Sequence, residues 1–441
     1  MTKANDLHST LRKATEDISD DVIDWRHHLH SHPELSNREV ETEKFITEKL
    51  REFGINEITD GIAGHGVLAV IRGGAKSDDS RSILLRADID ALPVKETADV
   101  DFASTVVDEE YPGGPFPVSH ACGHDCHTAM LLGAAKILDS VADELPGDVY
   151  LCFQPAEEGP PVDEDGGARM MIEDSAFTKL DPKPTMAFGM HVVPAPKGKI
   201  GYSRNVQHAS SELVKITVEG EQVHGSQPWA GIDPMPPAAD IITAMGQLYR
   251  QVDAQNIFTI TIGHIEDEGR FNIVGQKVTL WGTVRCMQKG VMPQINERIV
   301  RTVENIASAY GCEGSTEFFQ EIPPVVNSPE WIDAVLPSFR SVVGEDNADT
   351  DVLEVPGSLG YDDVSEFINE YGGVYALLGV QDVELSEEGL PEATSGGRGL
   401  VPNHNPKFYA DDDTLSVGVL MHATVAVDHL YGQAVPQEHS D

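Results

Sequence analysis

Cysteine is scarce in this chain: five residues in 441, an odd number scattered along the length. That excludes a disulfide framework and suits a reducing compartment. Basic residues are also few, 31 Lys and Arg against 73 Asp and Glu, for a formal net charge of −42. Nucleic acid and anionic membrane would both be repelled, so neither is expected as a partner. No apolar run approaches the roughly 18 residues of a membrane span, and Met1 to Asp21 is polar and mixed in charge. A soluble, cytoplasmic protein is the expectation.

What is present suffices for a large fold. Hydrophobic residues make up 40% of the chain, and the length allows two domains, because single cores stop growing near roughly 250 to 300 residues. The acidity is spread along the whole sequence instead of gathered in a tail. That pattern predicts a surface adapted to a high-salt cytoplasm, where screening removes self-repulsion.

The densest chemistry lies in Ser119-His120-Ala121-Cys122-Gly123-His124-Asp125-Cys126-His127. Imidazole, thiolate and carboxylate are donors for zinc, manganese or cobalt, and Cys122 and His124 can both point inward from a short loop. Asp125 is expected to cap a helix starting at His127. The histidines between His27 and His32 lack carboxylate or cysteine neighbours in sequence and read as packing and surface residues.

Gly66 to Ile71, Ser82 to Asp88, Val149 to Gln154 and Met186 to Met190 are short apolar runs suited to buried strands, alternating with helical stretches as in an α/β sheet. Helices are expected over Ile18–His32, Glu39–Phe53 and Thr414–Leu430. Asp88 falls at the end of one strand, where it either caps the next element or serves a site. Glu157 and Glu158 follow another, and two adjacent acids there are costly unless a cation shares them. His191 follows the next. From Ser210 to Ile322 the order changes to βαββαβ, with strands at 212–218, 257–264, 277–285 and 315–320 and helices at 235–252 and 293–309. That is a ferredoxin-like insertion, leaving 1–209 and 323–441 as a catalytic domain and 210–322 as an inserted lid.

Cys122, His124, Glu158, His191 and His404 are one donor more than a single tetrahedral ion needs, and with one bridging ligand they can hold two divalent ions with a position open for water. Glu157 is placed to act as general base. Asp88 is expected to hydrogen-bond one of the ligating imidazoles.

Arg86-Ala87-Asp88-Ile89-Asp90-Ala91-Leu92-Pro93, His120 to Asp125, Phe153-Gln154-Pro155-Ala156-Glu157-Glu158, Gly189-Met190-His191 and His404-Asn405-Pro406-Lys407-Phe408 together resemble the amidohydrolase branch of the M20 metallopeptidase family. The branch includes N-acyl-amino-acid, hippurate and indole-acetyl-amino-acid hydrolases. The resemblance implies a zinc-peptidase-like α/β catalytic domain with an inserted α+β lid that mediates dimerisation. It also implies two divalent metal ions (Zn, Mn or Co), Cys122 as bridging ligand, and Glu157 as base. In the lid, Gly220 to Pro228 resembles the family's glycine-flanked His segment, which makes His224 an oxyanion donor. Asn272 and Arg285 fall at substrate-facing positions, and Arg285 reads equally well as a surface strand residue. Gly360-Tyr361-Asp362-Asp363-Val364 departs from the family's Glu-Asp-Phe. The activity implied is metal-dependent cleavage of N-acyl amino acids to a carboxylic acid and a free amino acid, by a homodimer. The alternatives are a dipeptidase or carboxypeptidase of the same superfamily and a non-catalytic, metal-stabilised binding protein.

Overall fold

The computed structural model describes residues 3–77, 79–386 and 391–437. The chain divides into two compact units: Met1–Asn205, Val326–Pro356 and Glu366–Asp441 form one, and Val206–Val325 with Gly357–Ser365 the other. Gly357–Ser365 belongs with the second because Ser358 donates its N–H to the Gln207 carbonyl at 2.8 Å, and the Gly360 carbonyl accepts from Ala209 N–H at 2.8 Å.

An eight-stranded mixed sheet organises the first unit. Its order is Ile58–Ile62, Gly66–Ile71, Asp148–Gln154, Ser82–Asp88, Ala187–Pro196, Gly373–Gln381, Ile200–Tyr202, Val352–Glu354. The four central strands run parallel, with Asp88 beside Gln154 and His191 beside Leu377. These strands are continuous apolar runs because both faces are covered. On one face lie α2 (Ser19–Ser31), α3 (Val40–Phe53), α4 (His124–Asp139) and the helices Pro329–Val343 and Leu415–Leu430. α4 and Leu415–Leu430 pack so closely that a Cβ on Gly418 would fall 1.9 Å from Met130 Sδ. Parallel strands put their carboxyl ends along one edge, where open α/β sheets bind ligands.

The second unit is a four-stranded antiparallel sheet in the order Phe258–Asp267, Lys277–Cys286, Ser210–Glu219, Glu313–Ile322, with helices Met235–Met245 and Met292–Ala309 packed on it. Val214, Ile216 and Val218 alternate inward along their strand. Ile295, Ile299, Val303 and Ala307 meet them at four-residue spacing along a helix. Each of these Val and Ile side chains, fully buried, contributes roughly 1.5–3 kcal/mol.

Several elements differ from expectation. α1 (Lys3–Asp17) was not anticipated; it buries Ala4, Leu7 and Leu11 in an otherwise polar segment. The helix expected over 235–252 stops at Met245, where Gly246 follows and the chain tightens into a 3₁₀ turn at Leu248–Gln251. α4 starts at His124, not His127, and its N-cap is Gly123 in the left-handed region. Asp125 therefore caps nothing: it lies inside the helix, 1% exposed, bonded to Arg26 and His30. Among no described residues is a helix long and apolar enough to cross a membrane.

Candidate metal centre and active site

The site begins with a turn that only glycine permits. Gly123 has φ 90°, and a Cβ there would stand 2.3 Å from Val192 Cγ2. The loop from His120 can thus turn into α4 hard against the strand that carries His191. The 403–408 loop closes on the same turn, His404 donating its N–H to the Ala121 carbonyl at 2.8 Å and Asn403 Nδ2 donating to the Cys122 carbonyl at 3.0 Å. Two non-glycine residues beside the donors, Ala156 (φ 54°) and His404 (φ 64°), sit in the left-handed region, at a cost of roughly 1–2 kcal/mol each. Ala156 is held there by its N–H bond to Glu39 Oε1 at 2.9 Å. Burial, then the nearby Asp90, pushes the Glu39 carboxyl up to about 8.

The far-flung donors converge on Cys122. Its Sγ is 3.4 Å from His191 Nε2 and 3.3 Å from His404 Nε2, and His404 Nε2 is 3.3 Å from Glu158 Oε1. His124 Nε2 lies 3.8 Å from both Glu157 Oε2 and Glu158 Oε1. Two donor groups result, Cys122 with His124 and His191, and Cys122 with Glu158 and His404, each with its ligand atoms within 4.8 Å of one another. The thiol is common to both. His404 is 55% exposed along its side chain, so the group it belongs to opens outward.

The donor chemistry fits divalent cations. His124 Nε2 is buried without a hydrogen-bond partner, while Nδ1–H donates to Asp90 at 3.2 Å, which leaves the Nε2 lone pair facing the carboxylates. His191 Nδ1–H donates to the Val192 carbonyl at 2.7 Å, which likewise turns a lone pair towards Cys122. Without a cation, burial disfavours the charged form of His124, yet Asp88 and Asp90 outweigh it and push the group up to about 10, so a proton occupies Nε2 until a cation displaces it. Burial, then Glu158 and Glu157, holds the Cys122 thiol well above its ordinary range. Protein groups alone leave this cluster short of positive charge, which a dication supplies.

Asp88 plays a different part from the one expected. Its carboxylate accepts from His127 Nδ1 at 2.5 Å and from Arg86 at 2.5 Å, and stands 3.7 Å from His124 Nδ1. Burial opposes ionisation, but His124, His127 and Arg86 hold Asp88 well below the usual carboxylate range. His127 Nε2 accepts the Val192 N–H at 2.8 Å, so Asp88 acts through His127 on the strand beside His191. The ligand-facing partner is Asp90, whose second oxygen accepts from Ser36 Oγ at 2.7 Å and from Glu158 N–H at 3.0 Å. Sequence reading missed Asp90, His127 and Glu39. Signals existed for Asp90, an acid two residues beyond Asp88 in the same run, and for His127, which closes the Ser119 to His127 stretch, but none marked Glu39.

The remaining expected residues lie in the second unit. His224 pairs with Ile273, and Gly225 N–H bonds the Asn272 carbonyl at 2.9 Å, which brings His224 and Asn272 onto adjacent segments. His224 Nδ1 accepts from Ser226 N–H at 3.1 Å, so the proton sits on Nε2, available for donation. Arg285 donates to the Leu359 carbonyl at 2.9 Å and lies 5.0 Å over the Tyr361 ring. Its strand position thus has partners within its own unit.

Residues 84–428 match the model of peptidase family M20/M25/M40. The chain is 34% identical over 426 residues to thermostable carboxypeptidase 2 of Saccharolobus solfataricus, covering 96% of this chain and 98% of that protein. It is 31% identical over 410 residues to an N-acetylcysteine deacetylase of Bacillus subtilis, covering 92% and 96%. Among solved structures it is similar to a Bacillus subtilis protein described as a dinuclear metal binding peptidase of the M20 family. The TM-score there is 0.72 at 28% identity, over 94% of this chain and 99% of that one. With the motifs, the two-unit architecture and a thiol-centred donor cluster in place, these likenesses establish that the chain belongs to the M20 peptidase family, in its amidohydrolase branch, and is a metallo-hydrolase of amide or peptide bonds.

Proposed function

We propose that the protein hydrolyses the amide bond of N-acyl amino acids, releasing a carboxylic acid and a free amino acid. The observation that carries this reading is the Cys122-centred donor pair with the buried carboxylate of Glu157 beside Glu158. Cys122, His124, His191, Glu158 and His404 are the residues that would hold the divalent ions. When bound, such ions polarise an amide carbonyl and lower the pKa of water. Glu157 accepts the proton of the attacking water and delivers it to the leaving amine. By the family resemblance, His224 of the second unit is the residue that would donate Nε2–H to a developing oxyanion. By the same resemblance, Asn272 and Arg285 are the residues that would meet the amino acid's carboxylate. Asp88, through His127, and Asp90, directly, keep the ligands in register.

Glu157→Gln is the test: metal content unchanged, turnover of N-acetyl amino acids reduced by about 10²–10⁴-fold, the usual contribution of a general base. Near-normal turnover refutes the assignment. A carboxypeptidase or dipeptidase reading is supported by the likeness to the Saccharolobus carboxypeptidase. Rates on acylated amino acids against peptides with free amines separate the two. We further propose a homodimer through the second unit, since Phe258–Asp267 is an edge strand with Ile265 half exposed and Ile257 exposed beside it. Light scattering on purified protein reads this directly. A reducing cytoplasmic setting accords with five buried cysteines, none in a disulfide.

A further inference from the structure

A buried ion cluster includes Asp125, the residue after His124, and its hydrogen bonds among the described residues go to groups other than the metal-centre ligands. Asp125 Oδ2 accepts from Arg26 Nε at 3.0 Å and from His30 Nδ1 at 2.8 Å; His30 Nε2 donates to Glu96 Oε1 at 2.9 Å. Both ring nitrogens of His30 face carboxylates, so the imidazole carries both protons. Arg26 also donates to the Ala410 carbonyl at 3.0 Å and to Asp412. Arg26, His30 and Asp125 are each at most 4% exposed. The ring of Phe102 covers them, 5.4 Å from the Arg26 guanidinium and edge-on to His30 at 5.1 Å.

The cluster joins the segments that carry the donors. Asp125 is the second residue of α4, directly after His124 and three after Cys122. Ala410 and Asp412 end the loop that presents His404. Glu96 Oε2 accepts from Ser104 N–H at 2.6 Å, and Thr97 donates its N–H to the Pro406 carbonyl at 2.6 Å, which ties the 96–104 loop to the same place. Buried ion clusters of this kind contribute little net stability compared with apolar packing, because desolvation offsets the attraction. What they do supply is directional constraint: a guanidinium with fixed donor geometry accepts only one placement of its partners. Metal coordination tolerates deviations of only about 0.2 Å.

We infer that Arg26, His30 and Asp125 are positioning residues that hold the Cys122–His124 turn and the His404 loop at the separation metal binding requires. The inference rests on the proposed metal centre. Its consequence is that disturbing the cluster lowers metal affinity out of proportion to stability.

The experiment strips the full-length protein of metal and titrates Zn²⁺ alone against a chromophoric chelator, with thermal midpoints measured on the same metal-free samples. Arg26→Lys keeps the charge but loses the fork. His30→Gln keeps one donor, and reads the effect if the lysine variant fails to fold. Asp428→Asn serves as control, since Asp428 is 3% exposed and accepts from His8 and Ser338 in a separate buried network. The expected result is zinc affinity at least tenfold weaker in the cluster variants, within the range of about 10–100-fold for groups supporting metal ligands, and within about twofold of the parent in the control at a comparable loss of midpoint. Parent-like affinity in the cluster variants overturns the inference, as does a control that loses affinity in step with its stability. A parent protein that binds no zinc overturns the metal reading itself, and the inference falls with it.

Discussion

Asp90→Asn tests how the ligand geometry is held, because the substitution changes one atom without opening a cavity. One Asp90 oxygen accepts from His124 Nδ1–H, the other from Ser36 Oγ and Glu158 N–H. An asparagine can keep only one acceptor. If its oxygen faces His124, the amide N–H₂ meets the Glu158 N–H, donor against donor, and the backbone of that ligand is displaced. If the amide nitrogen faces His124, the imidazole must flip tautomer and present Nε2–H where a lone pair is needed. Either arrangement leaves a buried polar group unsatisfied, at about 1–3 kcal/mol, which corresponds to roughly fivefold to a hundredfold in affinity. Zinc titration of the metal-stripped protein should show this loss, with turnover falling at limiting metal and recovering in part when metal is raised. Affinity within twofold of the parent at both ions would refute the reasoning, since it would mean the Asp90 bonds do not set the ligands' orientation.

Gly123→Ala forces a side chain into φ 90° and against Val192; with about 1–2 kcal/mol from the backbone and about 1–3 from overpacking, the melting temperature should fall by several degrees and an unchanged value would contradict the structure. Glu212 is buried in the second unit, and burial pushes its carboxyl up from 4.5 to about 7. The folded chain therefore binds a proton that the unfolded chain has released, so Glu212 costs stability increasingly as pH rises from 4.5 to about 7, and fully above it. Glu212→Gln should stabilise at pH 8 by on the order of 1 kcal/mol, after discounting for solvent screening, and not at pH 4.5; equal effects at both pH values would be inconsistent. The net charge of −42 should make the melting temperature rise steeply between tens of millimolar and molar KCl, and a flat salt profile would count against a high-salt surface.

Much of this molecule was legible in its sequence because the relevant signals are local. Ser82–Asp88, Gly66–Ile71 and Asp148–Gln154 are apolar runs bounded by polar residues, and such runs have few alternatives to a buried strand. The alternation in Ser210–Glu219 and the four-residue spacing in Met292–Ala309 set the second unit's layers in the same way. The donor residue types Cys122, His124, Glu158, His191 and His404 could be named from chemistry and motif before any distance was known.

Other features exist only once distant segments meet. α1 is polar apart from Ala4, Leu7, Leu11 and Ala14, and it is a helix because a core waits beneath them. The start of α4 is set by Gly123 against Val192, a contact across 69 residues of chain that no capping pattern announces. Asp88 and Asp90 look interchangeable in sequence; which of them meets His124 depends on where α4 lands on the sheet. Asp125 looked like a cap until Arg26, about a hundred residues earlier, arrived to bond it. Residue type and periodicity are properties of the chain and determined the inventory of strands, helices and donors. Hydrogen-bond partnership is a property of space, and packing alone decided which acid holds which imidazole.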